Sequence, residues 1–218
     1  MNGKNIVSLT AFAIAMAYLE TVVVVHLRTI FYPEGFAFPL RESDLLTYGI
    51  ELGREAATMV MLVAVARLAG SPGWGRFACF AFLFGVWDIW YYIWLKALLN
   101  WPESLLTWDV LFLIPVVWIG PVLAPVLISL LLVAGSLLAM RLLDRGGRIR
   151  LDRWDWAGGF AGALLIFYTF MSDMTAQVIQ GGVQAATAFV PATFNWPVFL
   201  AGFALMTGFA WRILRRAG

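Results

Sequence analysis

The sequence predicts an all-α fold. We expect a polytopic transmembrane helix bundle of six spans, with both termini cytoplasmic and a short interfacial or re-entrant helix before span four. The first reason is composition, since 62% of the 218 residues are hydrophobic and 13% are charged, whereas soluble domains are about 45–50% apolar and about 25% charged. The second is that the apolar residues fall into blocks of roughly twenty, the length that crosses a hydrocarbon core of about 30 Å. Runs such as LISLLLVAGSLLAM also lack the period-two alternation of membrane barrels.

The apolar blocks place the six spans near residues 5–30, 45–68, 75–98, 121–142, 156–180 and 195–213. The first block continues past its small residues into YLETVVVV, which favours an uncleaved span over a signal peptide. No linker divides the chain, so we expect residues 1–218 to form a single integral membrane domain. AGGFAGA, at 157–163, has the spacing of small residues that lets helices pack closely.

The basic residues predict the orientation, because cytoplasmic segments are enriched in Lys and Arg. Only Arg28, Arg41, Arg54 and Lys96 fall on or toward the outer side of the six-span arrangement. The others fall on the side of the termini: Lys4, Arg67, Arg76, Arg141, Arg145, Arg148, Arg150, Arg153, Arg212, Arg215 and Arg216. We therefore expect a multi-pass protein of the cell membrane with cytoplasmic N- and C-termini, in contact with membrane lipids and open to protein partners in the membrane.

The segment before span four carries several helix-breaking residues. As one helix, residues 104–142 would be about 58 Å long, too long for a single crossing. Gly120-Pro121 is the predicted break, with Pro121 in the first helical position of span four. Residues 104–118 would then form the short helix in the outer leaflet, and the tryptophans of 85–118 an aromatic belt at the interface.

Ionisable residues within the apolar spans mark the candidate site, because a charge at the bilayer centre costs at least about 2.5–3.5 kcal/mol. The candidate catalytic residues are Glu20, Glu55, Asp88 and Tyr92. The candidate ligand-binding residues are His26, Glu51, Arg54, Tyr91, Asp109 and Asp173. Helical rise places Glu20 and Asp88 about 21 and 18 Å from the cytoplasmic ends of their spans, and Glu55 about 15 Å from the outer end of its span. The three carboxylates therefore lie at similar depths.

Helical spacing indicates which of these groups share a face. Glu51 and Glu55 are one turn apart, with Arg54 beside them to neutralise one carboxylate. Tyr91 and Tyr92 follow Asp88 at three and four residues, so a phenol could lie one turn above that carboxylate. His26 is rotated about 120° away from Glu20, which weakens a metal motif on span one and favours a hydrogen-bonded histidine near the interface.

The carboxylates predict two kinds of chemistry and leave a structural alternative open. Glu20, Glu55 and Asp88 could bind a divalent metal ion through oxygen ligands. Carboxylates gathered in a low dielectric could instead carry a proton, or pair with Arg28 and Arg54 and stabilise the bundle. The pattern favours a metal- or acid/base-dependent membrane enzyme that acts on a lipid or apolar small molecule, with its site open to the outer side. The alternatives are a proton- or cation-coupled carrier and an accessory or assembly subunit of a larger membrane complex.

Other chemistries are disfavoured by the composition. One histidine cannot supply bis-histidine haem ligation. The single cysteine, Cys79, cannot form an internal disulfide and is expected to be a small core residue. The chain has no basic tract with interleaved aromatics, so we expect no nucleic-acid partner.

The acidic residues lie mostly on the outer side of the arrangement, which would draw cations toward it.

Overall fold

The computed structural model describes residues 3–41 and 44–217, which fold into six helices and one β-hairpin. The elements are α1 (Gly3–Phe31), α2 (Leu45–Ala69), α3 (Trp74–Leu99), β1 (Trp108–Phe112), β2 (Trp118–Pro121), α4 (Leu123–Asp144), α5 (Arg153–Thr187) and α6 (Trp196–Ala217). Helices therefore lie at all six predicted positions. α5 is broken at Gly182, whose backbone has φ 67° and ψ −157°, a conformation that glycine adopts without a Cβ clash.

Five of the helices in the described residues are long and apolar enough to cross a membrane: α1, α3, α4, α5 as far as Gly182, and α6. The protein is therefore a multi-pass membrane protein by the character of its helices. α2 is as long as the others, but Glu51, Arg54 and Glu55 lie in its first half and Arg67 near its end. The sixth span stays a prediction.

Local signals explain where several helices begin and end. The Asp44 carboxylate accepts a hydrogen bond of 2.8 Å from the backbone N–H of Thr47 at the start of α2, as an N-cap residue does. The C-cap of α3 is Asn100, which adopts the left-handed conformation with φ 53° before Trp101-Pro102. α5 begins with a capping box in which Asp152 and Asp155 accept from each other's backbone N–H groups.

α3 lies at the centre of the bundle and packs against α1, α2 and α4, while α5 packs against α6. The main core is apolar and includes Leu62, Cys79, Phe82 and Leu83, so the expectation that Cys79 is a core residue is confirmed. A Cβ on Gly162 would lie 3.0 Å from the carbonyl oxygen of Gly202. The predicted packing face of AGGFAGA is thus the contact of α5 with α6.

The predicted short helix at 104–118 is wrong, because the chain there forms an antiparallel hairpin. Trp108 pairs with Pro121, Asp109 with Gly120 and Val110 with Ile119, and a bulge precedes the Phe112–Trp118 pair. The residues of these strands are mostly β-branched or aromatic, which favours extended backbone. Strand pairing satisfies the backbone groups that a helix would otherwise satisfy.

Span four begins two residues later than predicted, since Pro121 ends β2 and α4 starts at Leu123. The N–H groups of Val122 and Leu123 donate to the carbonyl oxygens of Thr107 and Leu105, at 3.0 and 2.7 Å. The hairpin's flanking loop therefore supplies acceptors for amides at the start of α4, which have no partner inside the helix.

Trp87 does not belong to the aromatic belt that the sequence predicts over residues 85–118, and the belt formed by the other tryptophans stays a prediction. Trp87 is 6% exposed and belongs to the main core, and the other tryptophans of 85–118 are partly buried. Strongly exposed tryptophans lie instead near the N-terminus of α5 and the C-terminus of α6: Trp154, Trp156 and Trp211. Trp87 is internal because α3 packs against α1, α2 and α4.

Candidate functional site

A cavity of about 680 Å³ opens among α1, α2, α3, the hairpin and the second half of α5. It lies at the end of the bundle where α1 and α3 end and α2 and α4 begin, which we call the hairpin end. Eight of the ten predicted site residues line it: Glu20, Glu51, Arg54, Glu55, Asp88, Tyr91, Tyr92 and Asp109. The fold therefore brings most of the candidate residues together around one cavity.

Arg54 holds one pair of carboxylates on the α1–α2 side of the cavity. Its Nε lies 2.8 Å from Glu51 Oε2, and its Nη1 forms an ion pair with Glu20 Oε1. The buried Thr58 hydroxyl donates to the other oxygen of Glu20 at 3.0 Å. Glu20 and Glu51 thus share one guanidinium, and the prediction that Arg54 neutralises a neighbouring carboxylate is confirmed.

Arg28 and Asp109 form a second pair, which joins α1 to the hairpin. Arg28 Nη2 donates to Asp109 Oδ1 at 3.0 Å, and the two residues are 8% and 1% exposed. The rings of Trp101 and Phe36 lie against the guanidinium, with centroids 3.8 and 4.5 Å from Cζ, within cation–π range.

Tyr92 completes this second pair. Its hydroxyl donates to Asp109 Oδ2 at 3.3 Å. Helical spacing predicted a phenol above Asp88, but the hydroxyl of Tyr92 turns to the hairpin carboxylate instead. Tyr92 therefore orients Asp109.

Asp88 is bound by a hydroxyl from α4. Ser129 Oγ donates to Asp88 Oδ2 at 2.7 Å, and the close approach of α3 and α4 at Gly85 makes this possible. A Cβ on Gly85 would lie 2.7 Å from the Ser129 carbonyl oxygen. Asp88 makes no ion pair within the described ranges.

Glu55 is bound by the backbone of the hairpin turn. Leu113 N–H donates to Glu55 Oε2 at 2.9 Å, and the Glu55 residue is 7% exposed. Like Asp88, it has no Lys, Arg or His partner within 4 Å among the residues that the structure describes. Glu55 Oε1 and Asp88 Oδ1 therefore have no hydrogen-bond partner among the residues that the structure describes.

Two further polar groups at the cavity, both on α3, have no hydrogen-bond partner among the described residues. The Tyr91 side chain lines the cavity, and its hydroxyl has no hydrogen-bond partner in residues 3–41 and 44–217. Trp87 also lines the cavity, and its buried Nε1 has no partner in the same residues. The Trp87 and Tyr91 rings stack with centroids 6.5 Å apart.

Two predicted site residues lie away from the cavity. His26 is exposed on α1, and its Nδ1 lies 2.7 Å from the Val22 carbonyl oxygen, one turn back on the same helix. Asp173 is exposed on α5, where the Ser172 hydroxyl lies 3.5 Å from it. Their positions are explained by helical rotation: both face outward while their neighbours Arg28 and Met174 face the cavity.

The carboxylates that the sequence predicted as metal ligands are not gathered into one cluster among the described residues. No group of three or more His, Cys, Asp or Glu side chains that could hold a metal ion occurs within the described residues. Glu20, Glu55 and Asp88 have separate partners on α2, the hairpin and α4. We therefore assign no step to a metal.

Four participants were missed by the sequence: Thr58, Ser129, Trp101 and the backbone of Leu113. Ser129 carried a signal, since it is an isolated hydroxyl in an otherwise apolar stretch of α4. The Leu113 N–H carried none, because its availability depends on the hairpin.

No protein-family model, no curated protein and no solved structure matches this chain. Its function is therefore inferred from the geometry of the site.

Proposed function

We propose that this chain is an integral membrane enzyme that binds an amphipathic small molecule in the hairpin-end cavity and acts on it by acid–base chemistry. One observation carries the proposal: an apolar cavity of about 680 Å³ contains two carboxylates, Glu55 and Asp88, with no cationic partner in the described residues. Ligand cavities in proteins are commonly about 300–1,000 Å³, mostly apolar, with a few polar groups that orient the ligand.

The proposal gives different roles to the paired and the unpaired groups. The Arg54 and Arg28 pairs connect α1 to α2 and to the hairpin, so they hold the cavity wall in place. Glu55 and Asp88 are the candidate proton acceptor and donor, since each has an oxygen free to meet a ligand. The Tyr91 hydroxyl is the candidate orienting donor.

The polar groups that line the cavity lie in the hairpin-end half of the bundle, which favours a one-sided site over a carrier. The apolar core precedes Glu20 on α1 and Asp88 on α3, and follows Glu55 on α2. It therefore lies between these carboxylates and the end that holds the termini. A proton- or ion-coupled carrier needs a polar route through that half.

We place α2 in the membrane as the sixth span, and the termini in the cytoplasm. The ion pair of Arg54 with Glu20 supports the first point, since paired charges are better tolerated at depth than free ones. The exposed Arg145, Arg148 and Arg150 at the opposite end from the hairpin support the second. The cavity then opens toward the outer leaflet.

The test is co-purification followed by turnover. The full chain is purified from its host membranes in a mild neutral detergent, and retained small molecules are identified by mass spectrometry. The small molecules recovered in this way are then incubated with wild-type protein, Glu55→Gln, Asp88→Asn and, as a control, Glu103→Gln. Glu103 is exposed at the same end of the bundle and outside the cavity lining.

We expect wild-type protein and Glu103→Gln to retain one amphipathic compound and to convert it, at rates within about twofold of each other. Glu55→Gln and Asp88→Asn should convert it at least about 100-fold more slowly, the range for loss of a general acid or base. A purified wild-type protein that retains no compound, or cavity variants that convert it at the wild-type rate, would contradict the proposal.

A further inference from the structure

We infer that the polar end of the molecule bound in the cavity is a cation, an amine or quaternary ammonium group attached to a hydrocarbon body. The inference rests on the proposed function of the same cavity and names the class of its ligand. The first observation is the charge of the described lining. Five carboxylates, from Glu20, Glu51, Glu55, Asp88 and Asp109, face three guanidinium groups, from Arg28, Arg41 and Arg54.

The second observation is that three of the five lining carboxylates are paired with arginine. Glu20 and Glu51 share Arg54, and Asp109 is paired with Arg28. Arg41 is exposed, and its Cζ lies 5.6 Å from the centroid of the Tyr32 ring. Within the described residues, Glu55 and Asp88 are thus the lining carboxylates that take part in no ion pair.

The third observation is that Glu55 has one oxygen without a hydrogen-bond partner among the residues that the structure describes. More than nine-tenths of the residue is buried, and its described hydrogen bond is from Leu113 N–H to Oε2. Removing a carboxylate from water without a compensating charge is costly. A cationic ligand would supply that charge, whereas an anionic one would be repelled.

The fourth observation is the aromatic wall beside Asp88. The Trp87 and Tyr91 rings line the cavity one and three residues from that carboxylate. Aromatic faces attract ammonium groups through their quadrupole, and cages of such rings bind quaternary ammonium ligands. The remaining lining is largely aliphatic, including Val24, Leu27 and Val178, and suits a hydrocarbon body.

The experiment compares three probes that share a ten-carbon chain: decyltrimethylammonium, decanol and decanoate. Each is titrated into the full chain in a neutral maltoside detergent below its own micellar concentration, and binding is measured by calorimetry and by the shift in melting temperature. We expect decyltrimethylammonium to bind at least about tenfold more tightly than decanol, equivalent to about 1.4 kcal/mol, and decanoate to bind least.

The matched variants separate a charge effect from a structural one. Glu55→Gln and Asp88→Asn should each reduce the preference for the ammonium probe over decanol, while Glu103→Gln should keep it. The comparison of the three probes on wild-type protein needs no variant, so it still decides the matter if a variant fails to fold.

Two results with these probes would overturn the inference. Equal binding of decyltrimethylammonium and decanol would do so, as would binding of none of the probes. A neutral or anionic compound recovered by co-purification would also contradict it, but would leave the proposed function standing. The proposed function fails separately, if no compound is retained or if the cavity variants convert it normally.

Discussion

Arg28 on α1 and Asp109 on β1 are joined across 81 residues of chain by a hydrogen-bonded ion pair, with Nη2 3.0 Å from Oδ1. Both side chains are almost completely buried. The pair joins a non-helical hairpin to the helical bundle, and the Trp101 and Phe36 rings cover its cationic side. Both residues line the cavity, so the pair connects the hairpin to α1 at the cavity wall.

Asp109→Asn should therefore destabilise the fold strongly. The change leaves the Arg28 guanidinium buried without its counter-charge, and loss of one partner of a buried pair typically costs about 3–5 kcal/mol. Thermal unfolding in detergent measures the effect. Arg41→Gln is the control, since Arg41 is exposed and makes no ion pair within the described residues, and it should unfold near the wild-type temperature. An unchanged melting temperature for Asp109→Asn would contradict the structural role of the pair.

Tyr92→Phe should cost less, about 1–2 kcal/mol, because it removes one hydrogen bond to Asp109 and leaves the ion pair intact. A double-mutant cycle sharpens the test. In the Asp109→Asn background the same change should cost clearly less than in wild type, since contacting residues are not additive. Strict additivity would mean that the Tyr92 hydroxyl acts elsewhere.

Gly85→Ala should separate α3 from α4. The new Cβ would lie 2.7 Å from the Ser129 carbonyl oxygen and 2.8 Å from Val133 Cγ2, and overpacking of this kind costs about 1–3 kcal/mol. Gly135→Ala, on α4, is the matched control because its Cβ would meet open space. We expect it to be neutral or stabilising by up to about 1 kcal/mol. Equal melting temperatures for the two variants would rule out a tight contact at Gly85.

The free energy of unfolding should fall in acid, and protonation of Asp152 should account for part of the loss. Asp152 lies at the end of the bundle opposite the hairpin. The Arg216 guanidinium, the Asp155 N–H and Arg212 hold the pKa of Asp152 below its ordinary value. Since the folded pKa is lowered, the stabilisation is present above the unfolded pKa of about 3.9 and is lost as the pH falls through the folded pKa.

Asp152→Asn tests this charge effect alone, because asparagine is also a good N-cap residue. The melting temperature of wild-type protein should decrease more than that of the variant between pH 7 and pH 3. Parallel curves for the two proteins would show that the ion pairs of Asp152 with Arg212 and Arg216 do not contribute.

The clustering of the carboxylates was predictable because depth in a span follows from residue number. Helical rise placed Glu20, Glu55 and Asp88 at one level, and the structure places all three on one cavity. Helical rotation was harder, since a face can be assigned only when the neighbours are known. His26 and Asp173 were therefore included as candidates although they point outward.

The partners of each polar group were not predictable, because they come from distant parts of the chain. Asp88 could have met Tyr92, Arg28 or a metal ion, and it meets Ser129 on α4 instead. The hairpin is missed for a related reason: the excessive length of 104–142 and the break at Gly120-Pro121 predict a short helix over residues 104–118. Pairing with β2 satisfies the same backbone groups only once the chain has folded back on itself.

Local properties of the chain, namely apolar length and rise per residue, were enough to predict the helical class, the positions of six helices and the shared level of Glu20, Glu55 and Asp88 along the bundle. The division of the cavity's carboxylates into ion-paired and hydrogen-bonded groups came from packing alone. It depends on long-range contacts, since Arg54 can reach Glu20 and Arg28 can reach Asp109 only after α1, α2 and the hairpin have packed together.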